Sequence, residues 1–76
     1  MYLDEDIKID KSVLPTQLAE EVEMMDGLYC DGNDAMYYLK LNEIYAMAKT
    51  ALLNDMIDGM TCKNIWERYG VCCESN

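Results

Sequence analysis

A chain of 76 residues has room for one small domain that buries about 60% of its unfolded surface, which excludes a deep cleft between domains. A hydrophobic content of 51% suffices for a packed core and argues against wholesale disorder. Fifteen Asp and Glu stand against six Lys and Arg, a net charge of −9, and this balance opposes both polynucleotide binding, which depends on neutralising phosphates, and adsorption to an anionic membrane.

The first segment, 1-MYLDEDIKIDK-11, mixes carboxylates with Leu3, Ile7 and Ile9. It has no partner strand to pair with, so it reads as an extended acidic arm, either docked through Tyr2 and Leu3 or free. The remainder, residues 12–76, reads as a single three-helix domain. The first helix is expected to start at Pro15, because a proline loses nothing in a first helical turn, where its missing N–H would have had no intrahelical partner. Leu14, Leu18, Val22, Met25 and Tyr29 then recur every three or four residues and make one apolar stripe. The stretch 31-DGND-34 breaks the helix and supplies capping residues for the next one.

The second helix is expected over 34–58, about 37 Å long at 1.5 Å per residue. At 100° per residue, Tyr37, Leu41, Ile44, Tyr45, Ala48, Leu52 and Met56 share one face. Leu53 and Ile57 fall on the polar flank, to be covered by the third helix or left for a partner. The third helix is expected to begin with Thr61 as its cap, to bury Cys62, Ile65, Trp66 and Tyr69, and to end at Gly70. Trp66 should be the largest single piece of buried area, and Arg68 is favoured by the helix dipole at that end. The expected fold class is all-α, three helices with a long central one.

Chemistry has little to build on. There is no His anywhere and no C-x-x-C pair among Cys30, Cys62, Cys72 and Cys73, so neither zinc nor another metal or cofactor is expected. Reduced thiols are expected, with Cys30 and Cys62 serving as small apolar residues. A Cys or Ser nucleophile would lack its usual base. The loop from Asp31 to Asn42 starts like a calcium loop with Asp31 and Asn33. It then places Met36 where the glycine belongs and Asn42 where a bidentate glutamate is needed. No apolar run is long enough to span a bilayer and no secretory leader is seen, so a cytoplasmic protein is expected.

The stretch 59-GMTCKNIWERYGV-71 resembles the first helix and turn of a helix-turn-helix unit. Gly59 and Thr61 match the start of the helix, Ile65 its core position, and Gly70-Val71 the turn. Trp66 departs from the pattern, which keeps a small residue there, and only Cys73, Glu74, Ser75 and Asn76 follow a cap at Cys72. A recognition helix must reach base edges in the major groove with several side chains, so direct DNA reading is not expected. The resemblance implies at most an accessory regulatory module.

In size, charge and helicity the chain also resembles the DNA-mimicking inhibitors of phages and mobile elements, anti-CRISPR proteins among them. That resemblance implies a protein partner with a basic surface, facing carboxylates that stand in for phosphates. The candidates are Asp4, Glu5, Asp6 and Asp10 on the arm, with Glu20, Glu21 and Glu23 on the first helix. Six Tyr, one Trp and seven Met with no Phe add a second expectation, since Tyr and Trp are enriched at binding hot spots and Met adapts to varied contacts. Tyr38, Met24, Met36 and Met47 lie least well on the stripes and mark a contact patch. The alternative function is a homodimer packed through Tyr38, Leu53 and Ile57.

Overall fold

The computed structural model of the protein describes residues 1–71. It is an all-α domain of three helices, α1 (Thr16–Asp31), α2 (Asp34–Leu53) and α3 (Gly59–Arg68), preceded by a short 3-10 turn at Lys11–Val13. Gly70, expected to end the third helix, takes φ +68° just beyond it; the expected cap at Cys72 and the residues after it lie outside the described residues.

Pro15 occupies the N-cap of α1, and its carbonyl accepts from Ala19 N at 2.9 Å. At the other end Gly32 adopts φ +71°, a left-handed conformation that a residue without Cβ takes at no steric cost. The Asn33 N–H then folds back onto the Leu28 carbonyl at 3.1 Å, satisfying a carbonyl that the helix leaves open. Asn33 also caps the next helix, accepting from Met36 N at 3.3 Å. One four-residue break thus ends α1 and starts α2.

α2 stops five residues before its expected end. Asp55 takes φ +60°, the left-handed conformation that Asp and Asn tolerate better than most residues. Met56 N bonds back to the Ala51 carbonyl at 2.8 Å. This closure turns the chain, so the 100° spacing no longer applies beyond Leu53. Met56, expected inside, is 55% exposed, while Ile57, expected on the polar flank, is 8% exposed and joins the core. α3 begins earlier than expected, because Asp58 is its cap and accepts from Thr61 N at 2.8 Å. Thr61 is the capped residue, not the cap.

The core consists of Leu18, Val22 and Met25 from α1, Tyr37, Ile44, Ala48 and Ala51 from α2, Ile57 from the loop, and Cys62, Ile65 and Tyr69 from α3 and its end. Leu14 and Tyr29 at the ends of the α1 stripe, with Leu41 and Leu52 of α2, pack against it half-buried. Tyr37 and Tyr69 are the largest fully buried side chains. Trp66 does not hold that place: it is half-buried and stacks on Tyr45 with ring centroids 4.8 Å apart, its indole N–H reaching the Tyr45 carbonyl at 3.4 Å. An indole keeps its N–H satisfied more readily at a core edge than in an apolar centre. Cys30 also departs from expectation, as an exposed thiol at the end of α1, whereas Cys62 is buried.

The arm is docked. Asp4 N donates to the Arg68 carbonyl at 2.7 Å, and Leu3 and Ile9 pack against the core. It runs back along α1, with Glu5 and Lys8 beside Asp26, Tyr29 and Cys30, and with Lys11 and Ser12 beside Ala19, Glu20 and Glu23. Among the described residues no helix is long and apolar enough to cross a membrane.

Candidate interaction surface

Residues 1–31 hold nine acids against two lysines, a net of −7, whereas residues 32–71 hold five acids against four basic residues, a net of −1. The acid excess therefore belongs to the arm and α1, which lie side by side. α1 itself carries Glu20, Glu21, Glu23, Asp26 and Asp31 and no Lys or Arg. Three of these five acids meet a cation from outside, one from each neighbouring element. Lys11 of the 3-10 turn reaches Glu23 at 3.7 Å, Lys40 of α2 reaches Glu21 at 3.1 Å, and Arg68 of α3 reaches Asp26 at 3.2 Å.

These pairs differ in what they can do. Glu21 and Lys40 each keep 16% of the side chain exposed, and Lys40 also donates to Glu43 at 3.0 Å. Glu21 Oε1 is buried without a hydrogen-bond donor, although the Lys40 ammonium that donates to its Oε2 lies 3.1 Å from it. Hydrogen bonds to Glu43 and Glu21 hold the Lys40 ammonium above its usual pKa. Glu21 is therefore tied into the α1–α2 interface and is not an open carboxylate. Glu23, 71% exposed, pairs only loosely with Lys11, a contact worth little in solvent.

Arg68 is a structural junction that local sequence did not announce. Its Nε and Nη2 donate to the two oxygens of Asp26 at 3.4 and 3.2 Å, and Nη1 donates to the Ile7 carbonyl at 2.6 Å. A planar guanidinium can serve a carboxylate and a loop carbonyl together because its donors form a rigid fork. Tyr69 donates to Asp26 Oδ1 at 2.7 Å, with the Val22 carbonyl 3.2 Å away. Burial, and then the neighbouring Asp26 carboxylate, push the Tyr69 hydroxyl far above its ordinary pKa. Tyr37 donates to the Tyr2 carbonyl and anchors the start of the arm. The only advance signal was Arg68 near a helix end.

The other sequence candidates separate into two groups. Asp10 accepts from Ser12 N and Oγ at 3.0 and 2.6 Å, which holds its carboxyl below the ordinary value, the hydroxyl bond first. Asp4 Oδ1 accepts from Asp6 N at 3.0 Å. Glu5, Asp6 and Glu20 are exposed, and no ion pair or side-chain hydrogen bond engages their carboxylates among the described residues. Together with Glu23 they are the open carboxylates of the arm and α1. The apolar candidates do not converge. Ile57 is a core residue, Tyr38 is 53% exposed and meets Tyr37 edge-on, and Leu53 is 72% exposed. Tyr38 and Leu53 are separated by about 22 Å of helix, and Ile57 is too buried to meet a second copy directly. Met24 and Met36 are exposed as expected, and Met47 is half-buried.

No known protein family, curated protein or solved structure matches the chain.

Proposed function

We propose that the protein is a non-enzymatic binding protein whose arm and α1 present Glu5, Asp6, Glu20 and Glu23 to a basic site on a partner protein, one that can otherwise hold nucleic acid. The observation that carries this reading is the net charge of −7 gathered in residues 1–31, on two segments that pack against each other. Carboxylates on a docked arm and a rigid helix are pre-positioned, so little ordering entropy opposes their engagement. Their field also accelerates encounter with a cationic surface. The protein itself carries no patch of Lys or Arg on that face that would hold a phosphate backbone.

The test is affinity capture from native cells at low and high salt, with the wild type and with a variant combining Glu5→Gln, Asp6→Asn, Glu20→Gln and Glu23→Gln. Binding should fall steeply with salt, since screening shortens to about 3 Å at 1 M. The four neutralisations should weaken it about 100-fold, or about 3 kcal/mol. A partner retained equally at high salt, or by the variant, overturns the proposal.

A further inference from the structure

An open groove of about 280 Å³ runs between α1 and α2, lined by Pro15, Leu18, Ala46, Met47, Ala51 and Met56. Its polar rim consists of Gln17 and Thr50. Leu39 and Leu53, 61% and 72% exposed, lie seven residues either side of Ala46 and so on the same line of α2. The groove is small for a soluble ligand and lacks the converging polar groups that orient one. What it does have is carboxylates at both ends. Met56 continues into a second concavity that contains Asp55 and Asp58. One helical turn beyond Gln17 on α1 is Glu21, and one turn before Ala46 and Met47 on α2 is Glu43. Lys40 joins these two acids across the helix pair, so this end carries two acids against one lysine, with Glu43, 55% exposed, as its accessible carboxylate.

We infer that this groove binds one amphipathic helix of a partner protein, with apolar anchors at three- and four-residue spacing and basic residues near both ends. The acidic ends are about 15–18 Å apart, a span of ten to twelve residues of the incoming helix. Apolar side chains of that helix enter between Leu18 and Met47, where methionine adapts to varied shapes. Its Lys or Arg residues meet Asp55 at one end and Glu43 at the other, a helix-in-groove mode with complementary termini. A second copy of this chain fits less well, because it brings the same carboxylates to the same two ends. The inference rests on the basic-partner reading for the sign of the partner's charge, but it uses a different face of the molecule.

The probe is a fluorescein-labelled synthetic helix of about 18 residues, built from Leu, Ala and Lys with leucines on one face and lysines toward the ends. A peptide of identical composition in scrambled order is the control, and fluorescence anisotropy against the full-length protein is the readout. The ordered peptide should bind at least about tenfold more tightly than the scrambled one. Ala46→Gln, which fills the groove at an exposed position, should weaken binding about tenfold with the melting temperature unchanged. Glu43→Gln with Asp55→Asn should weaken it about fivefold and flatten its salt dependence. Neutralising Glu5, Asp6, Glu20 and Glu23 should leave peptide binding within about twofold. That result separates this groove from the open carboxylates of the arm and α1, whose own test can fail or succeed independently. Equal binding of the scrambled peptide, no effect of Ala46→Gln, or loss of binding in the four-residue variant overturns the inference. So does sedimentation of the protein alone as a dimer that Ala46→Gln dissociates.

Discussion

Gly70 shows how one residue couples the end of α3 to the beginning of the chain. At φ +68° a Cβ is disfavoured, and here it would stand 2.8 Å from Tyr2 Cδ2. The Tyr2 ring would have to move, although its carbonyl is held by Tyr37. Gly70→Ala should therefore destabilise the protein by about 1–2 kcal/mol, combining left-handed strain with partial displacement of the arm. Urea denaturation measures the loss, and faster amide exchange in residues 2–7 identifies the arm as its location. A mutant that loses stability without affecting the arm amides shows that the ring contact is unimportant. Arg68 works on the same segment from the other side, which is why the arm follows a defined path despite having no regular secondary structure.

At the scale of the element, the α2–α3 connection is governed by two aspartates with different tasks. Asp55 accepts a left-handed backbone and ends α2, while Asp58 satisfies an otherwise open N–H of α3. Asp58→Ala should cost about 1 kcal/mol, and Thr61→Ala, which keeps the capped N–H, should cost less. Thermal denaturation of the pair tests which residue is the cap. The hydrogen bonds from Thr61 hold the Asp58 carboxyl below its ordinary pKa, the side-chain bond first. This contribution is accordingly present above the ordinary aspartate range and fades as pH falls through the lowered value. The same connection explains the exchange of Met56 and Ile57 between outside and inside. Helical periodicity assigns faces only while the helix continues, and a left-handed residue resets the phase.

For the whole molecule, a body of 33 × 31 × 21 Å carries charge on one side and an apolar groove beside it. The acidic helix α1 is compatible with folding because Lys11, Lys40 and Arg68 approach it from three other parts of the chain. Stability at high pH follows from the two buried tyrosines. Burial chiefly raises the pKa of both Tyr37 and Tyr69, so the native state favours their neutral hydroxyls. Their contribution is complete below the unfolded value of about 10 and declines as pH rises above it, by up to about 1.4 kcal/mol per unit for each group. An alkaline titration should show two of the six tyrosines ionising together with the loss of helicity. Ionisation of all six while the circular dichroism stays native contradicts this.

Much of the fold was legible in the sequence. The apolar spacing of α1, the break at residues 31–34, the buried positions Cys62, Ile65 and Tyr69, and the terminating Gly70 follow from backbone geometry and near neighbours, which act over a few residues. The acid excess was equally plain, but its reduction to a few open carboxylates was not. Lys40 withdraws Glu21 across 19 residues and Arg68 holds Asp26 across 42, and no local pattern records which helices will pack together. Trp66 was misplaced for the same reason, since a stripe says that a side chain points inward but not what stands opposite. Three amphipathic segments and the sign of the surface were therefore determined by the sequence alone. The docked arm, the partition of carboxylates into paired and open, and the groove between α1 and α2 were decided only by tertiary packing, because each depends on distances between residues far apart in the chain.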